Sequence, residues 1–163
     1  VNTLYVHGIA NFFAQCREAG VDGVILPDVP LEEHAPFDQA ARAEGVHPIY
    51  LVAPTSHERI RRIAQNASGF LYCVSSLGVT GKRSEYATDF DSFFGEIKAA
   101  CTVPYAIGFG ISGPEQVRQM GRYAHGVIVG SAVVELVEQY GKDAPKPVGE
   151  FVARLAQAAR ETE

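Results

Sequence analysis

Apolar residues along this chain fall into two alternating patterns. Short runs rich in β-branched and aromatic residues occur as VDGVIL (21–26), PIYLV (48–52), FLYCV (70–74), VPYAIGF (103–109) and GVIVG (126–130). Each is nearly continuous in hydrophobicity rather than alternating, which predicts strands buried on both faces of a parallel sheet. Between them apolar residues recur at helical spacing. Ile9, Phe12, Phe13 and Cys16 trace a stripe that ends at Gly20, and Pro36 opens a helix carrying Phe37, Ala40 and Ala41 that Gly45 closes. Phe90, Phe93, Phe94 and Ile97 follow Thr88 and Asp89 at i, i+3, i+4, i+7. Thr55 with Glu58, and Ser112 with Glu115, have the spacing of capping boxes, the first ahead of Ile60, Ile63 and Ala64 and the second ahead of Val117 and Met120. After the last strand SAVVELVE predicts a short helix, GKDAPKP a break, and the residues from Gly149 onward a second helix.

A helix followed by five β–α units implies α/β architecture around a parallel sheet. Two closures fit: an open doubly wound sheet, or part of a (β/α)8 barrel, which as a whole takes about 250 residues. The chain has 163 residues, 47% apolar and 20% charged, enough for a buried core within one domain. Its formal charge of −5 argues against nucleic acid or an anionic membrane as a partner, and no apolar run is long enough to span a bilayer. The segment VNTLYVHG lacks the basic and apolar regions of a secretory signal. Cys16, Cys73 and Cys101 are odd in number and sit in apolar stretches, which reads as buried thiols in a reducing, cytoplasmic setting rather than as a redox or metal site.

The chemistry-bearing signal is glycine. Gly108, Gly110 and Gly113 spell G-x-G-x-x-G after an apolar run and before a helix, the context of a dinucleotide fingerprint. That fingerprint requires an acid about 20 positions on, at the end of the next strand, to hold the ribose hydroxyls. The next strand ends instead in Gly130-Ser131, and the nearest acid, Glu135, lies beyond it. Two successive strands thus end in small residues ahead of a short helix. Backbone N–H groups reach a phosphate where side chains are small, and the helix dipole favours the anion. A monophosphate cradle fits better than a dinucleotide site. A third glycine turn, in the long connection SSLGVTGKRSEY (75–86), brackets Gly78 and Gly81 and adds Lys82 and Arg83.

LPDVPLEE, LVAPTS, FLYCVSSLGVTGKRS, IGFGISGPEQV and GVIVGSAVVE, in this order and at these spacings, resemble the tryptophan synthase alpha subunit family over essentially the whole chain. The resemblance implies a (β/α)8 barrel of which this chain carries helix 3 and the last five β–α units, residues 1–163 being a single incomplete barrel domain. It implies aldol-type cleavage of indole-3-glycerol phosphate to indole and glyceraldehyde 3-phosphate. The indole passes to a beta subunit in an alpha2beta2 complex, and the pyridoxal phosphate belongs to that partner, so no cofactor or metal is expected here. Carried across by motif, the phosphate ligands are Gly81, Gly110, Gly130 and Ser131, and Leu51, Tyr72 and Phe109 line the substrate pocket.

The same resemblance implies what the chain does not supply. The family's catalytic Glu and Asp precede the matching segment, so no catalytic residue is expected here; Asp28 is an acid at the active-site face but not the family's base. Protonating the indole ring and removing the hydroxyl proton each need a general acid or base worth roughly 100- to 10,000-fold. The chain alone is therefore expected to be inactive and, with two open sheet edges, only marginally stable or self-associating. Thr3 and His125 depart from the family's usual Pro and Asp without touching the phosphate ligands. A stand-alone indole-releasing lyase and a non-catalytic phosphate-binding barrel fragment remain as alternatives.

Overall fold

The computed structural model describes residues 1–75 and 89–162. Within them the elements run α1 (Asn2–His7), α2 (Ile9–Glu18), β1 (Gly23–Ile25), α3 (Ala35–Ala43), β2 (His47–Val52), α4 (Ile60–Asn66) and β3 (Leu71–Val74). They continue with α5 (Phe90–Ala100), β4 (Tyr105–Gly108), α6 (Pro114–Gly121), β5 (Gly126–Val127), α7 (Ser131–Tyr140) and α8 (Pro145–Arg160). The five strands form one parallel sheet in the order β1-β2-β3-β4-β5. Each strand lies beside its predecessor, with none of the order reversal that defines a doubly wound sheet. Of the two predicted closures, the barrel arrangement is the one observed.

Register assigns the two faces. Leu51, Tyr72, Ala106 and Gly126 stand in one row across β2 to β5 and therefore share a face. The alternate residues Tyr50, Val52, Leu71, Cys73, Tyr105 and Ile107 point the other way and are buried. They join Ile60 and Ile63 of α4, Phe93, Phe94 and Ile97 of α5, Val117 and Met120 of α6, and Phe151 and Leu155 of α8 in one core cluster. A second cluster, around β1, gathers Phe13 and Cys16 of α2, Phe37 and Ala41 of α3, and Leu26 and Val46. The helices thus cover one face of the sheet. The row Leu51–Tyr72–Ala106 on the other is only half-buried.

One buried polar group interrupts the helix-covered side. His34, 4% exposed, stacks on Tyr50 with ring centroids 4.1 Å apart. The Tyr50 hydroxyl donates to the Asp38 carboxylate at 2.5 Å. Burial first, and then the Asp38 carboxylate, push the pKa of the Tyr50 phenol above its ordinary value.

The sequence predicts the apolar stripes well and several helix starts poorly. The Asp89 side chain caps α5 by accepting from the Ser92 amide at 3.0 Å. The other two caps differ from expectation. Before α4 the chain makes a 3-10 segment, Pro54–Arg59, and Ser56 rather than Thr55 or Glu58 bonds the Ala53 amide, at 3.1 Å. Before α6 the flanking residue is Gly113, and the partner of Ser112 is Gln116, not Glu115: its Oε1 accepts from the Ser112 amide at 2.9 Å. α8 begins at Pro145, four residues ahead of the predicted Gly149. Its two prolines occupy the first turn, where a missing N–H costs nothing, so they start the helix instead of breaking it. A short helix, α1, precedes Gly8 where none is predicted.

Candidate functional site

The candidate site lies where the strands end in their carboxyl direction. Leu51 and Tyr72 are paired in register on the half-buried face, so their side chains are immediate neighbours. Burial raises the pKa of the Tyr72 phenol, leaving it a neutral hydroxyl. The ring reaches across to the next strand. A Cβ built on Gly108 would fall 2.1 Å from the Tyr72 Oη and 2.5 Å from its Cζ. Gly108, the first glycine of the fingerprint-like motif, is therefore accounted for by room for a tyrosine, not for a pyrophosphate.

Beyond Gly108 the backbone turns sharply. Phe109 has φ 78° and Gly110 φ 77°, two successive residues in the left-handed region. Gly110 adopts this freely, whereas the conformation costs Phe109 about 1–2 kcal/mol. Phe109 is 59% exposed. It is an open wall at the sheet's end rather than part of the core. The Phe109 carbonyl accepts from the hydroxyl of Ser75, a buried residue directly after β3 that the sequence reading passed over.

The neighbouring strand supplies the second small-residue turn. β4 and β5 pair Ile107 with Val127, and the Ile128 amide donates to the Ile107 carbonyl at 2.8 Å. Gly110 and Gly130 each stand three residues past that pair, so the two turns leave the sheet at the same level. Gly130 precedes α7, whose first turn holds no acidic side chain and no side-chain cap among the described residues. A Cβ on Gly130 would meet nothing within 4 Å, and its φ of −114° suits any residue. Neither strain nor crowding calls for glycine there. Ser131 is exposed beside it as the first residue of α7.

The structure thus brings Leu51 and Tyr72 side by side, and sets Phe109–Gly110 and Gly130–Ser131 at the ends of adjacent strands. The fourth expected phosphate ligand, Gly81, lies outside the described residues, as do Lys82 and Arg83. Asp28 is exposed after β1 and is not among the residues gathered at the ends of the last strands. Among the described residues no group of three His, Cys, Asp or Glu side chains could hold a metal ion, and no helix is long and apolar enough to cross a membrane.

A parallel sheet wound in a single sense, with its small-residue turns gathered at the carboxyl ends of its last strands, defines a chain of the (β/α)8-barrel class. The family model "Tryptophan synthase alpha chain" matches residues 1–162. The tryptophan synthase alpha chain of Geobacillus kaustophilus is 49% identical over 152 residues, 90% of this chain and 57% of that protein. That of Geobacillus stearothermophilus is 47% identical over 94% of this chain and 58% of its own length. A chain from the tryptophan synthase a2b2 complex of the hyperthermophile Pyrococcus furiosus superposes with a TM-score of 0.83 at 35% identity, covering 96% of this chain and 64% of its own. The chain belongs to the tryptophan synthase alpha chain family. It spans about three fifths of the length of the curated relatives it matches.

Proposed function

We propose that this chain supplies the phosphate-binding and indole-binding walls of a barrel that cleaves indole-3-glycerol phosphate to indole and glyceraldehyde 3-phosphate. The observation that carries the reading is the level placement of Gly110 and Gly130–Ser131 beyond a paired position of adjacent strands. Gly130 is a glycine that the fold itself does not require. In this reading Gly81, Gly110, Gly130 and Ser131 take the phosphate, and Leu51, Tyr72 and Phe109 enclose the indole and the glycerol chain. The neutral Tyr72 hydroxyl stands beside the reacting part of the substrate. Residues 1–163 form one incomplete (β/α)8 domain, acting in the cytoplasm.

These groups bind and orient; none is assigned to move a proton. In this reading the general acid–base steps fall to the Glu and Asp that the family carries upstream of the matching segment. The indole product would pass to a beta subunit in an alpha2beta2 assembly, and pyridoxal phosphate is that partner's, with no cofactor assigned to this chain. The test is a titration with glycerol 3-phosphate followed by calorimetry, alongside an indole-release assay. Saturable binding by the wild type, weakened at least tenfold by Gly130→Asp through a carboxylate placed against the phosphate, supports the reading. Equal binding by both proteins, or rapid indole release by the 163-residue polypeptide alone, overturns it.

A further inference from the structure

The turn at Phe109 raises a question that its own sequence does not answer. Phenylalanine has no local hydrogen bond with which to hold a left-handed backbone, unlike asparagine or aspartate. The residue is mostly exposed, so packing of the ring does not hold it either. Among the described residues the contact made at this peptide comes from Ser75. That residue is 2% exposed, and it grips two successive carbonyls of β4's end. Its amide donates to the Gly108 carbonyl at 2.9 Å, and its hydroxyl donates to the Phe109 carbonyl. The first bond only extends the β3–β4 ladder, in which Val74 pairs with Gly108. The second is a side-chain bond at the point where the ladder stops and the backbone turns.

We propose that Ser75 is a positioning residue: its buried hydroxyl holds Phe109 in the left-handed conformation and so sets the course of Gly110, Ile111 and Ser112 toward α6. The inference rests on the reading of Gly110 as a phosphate ligand. Without the hydroxyl, Phe109 relaxes toward extended backbone, the strand runs on, and Gly110 leaves the level it shares with Gly130. The ligand is never touched by Ser75 itself.

The experiment uses the full polypeptide and two probes, inorganic phosphate and glycerol 3-phosphate, titrated by calorimetry. Ser75→Ala should weaken glycerol 3-phosphate about tenfold, the equivalent of 1.4 kcal/mol, while Ser75→Thr, which keeps the hydroxyl, stays within about threefold. In a Phe109→Gly background the loss caused by Ser75→Ala should shrink to about twofold, because glycine holds the turn unaided. A purely structural serine would lower the melting temperature of Ser75→Ala without this dependence on residue 109. Wild-type affinity in Ser75→Ala, or an undiminished loss with glycine at 109, overturns the proposal while leaving the phosphate reading intact. If the wild type binds neither probe, the phosphate reading falls, and NMR then decides the role of Ser75. A Phe109 backbone that leaves positive φ in Ser75→Ala supports it, and one that stays overturns it.

Discussion

Replacing Gly108 with alanine isolates one contact on the half-buried face. The φ of Gly108 is ordinary, so alanine introduces no backbone strain, and the whole effect comes from its Cβ meeting Tyr72. The new carbon would sit 2.1 Å from the Tyr72 hydroxyl oxygen and 2.5 and 2.9 Å from two ring carbons, where carbon contacts optimally lie about 3.5–4.0 Å apart. The ring must therefore move by more than an ångström, yet Tyr72 is tied by pairing to Leu51 on one side and Ala106 on the other. Overpacking of this kind costs about 1–3 kcal/mol, offset by roughly 0.5–1 kcal/mol from the lower backbone entropy of alanine in the unfolded chain. In a Tyr72→Ala background the clash is gone and only the favourable part remains, so Gly108→Ala becomes neutral or slightly stabilising. The assay is urea unfolding of the wild type, both single variants and the double variant, read as a coupling energy of about 1–3 kcal/mol in favour of the double variant. Additivity within about 0.5 kcal/mol would refute this geometry, because it would mean the ring and the glycine do not share space.

Three further outcomes are expected. Asp89→Ala removes the cap on α5 and should lower stability by about 1 kcal/mol, with Asp89→Asn recovering most of it, both read from thermal unfolding. The Tyr50 phenol has its pKa raised in the folded state, so its contribution is complete below the ordinary tyrosine value of about 10 and is lost as pH rises through the folded value. Stability should then fall with alkaline pH, and Tyr50→Phe should flatten that slope; an unchanged slope would mean that the Tyr50 phenol is not held protonated by the fold. Phe37→Ala empties the centre of the cluster around β1, where Phe37 is fully buried, and should cost about 3–5 kcal/mol by denaturant unfolding.

What the sequence made legible was governed by burial on a regular period. The stripe Phe93, Phe94, Ile97 and the runs that became β2 and β3 could be read because Tyr50, Val52, Leu71 and Cys73 answer to the same helix layer as the stripe, while Leu51 and Tyr72 between them keep the runs apolar on the other face. Helix starts were less legible, since Ser, Thr, Glu and Gln offer several partners within one turn, and Gln116 outcompeted Glu115 for Ser112. The prolines at 145 and 147 read as breakers because their tolerance depends on where the helix begins, which they themselves decide. At the site, Gly110 and Gly130–Ser131 were found by their position after strands, but the reasons for the glycines were not. That Gly108 makes room for the Tyr72 ring depends on a contact 36 residues away in the chain. Ser75 left no signal, because nothing in SSLG distinguishes a serine that binds a carbonyl on the next strand from one that faces water.

The winding of the sheet also bears on how the chain reaches its shape. Gly23 pairs with His47, Tyr50 with Leu71, Leu71 with Tyr105 and Ala106 with Gly126, each partner arriving within a few dozen residues of the last. No pairing among these strands waits for a segment from the far end of the polypeptide, so loop-closure entropy is met in small, similar steps. A ribosome releasing the chain from its amino end delivers each strand beside an edge already formed, and the sheet can lengthen in the order in which it is made.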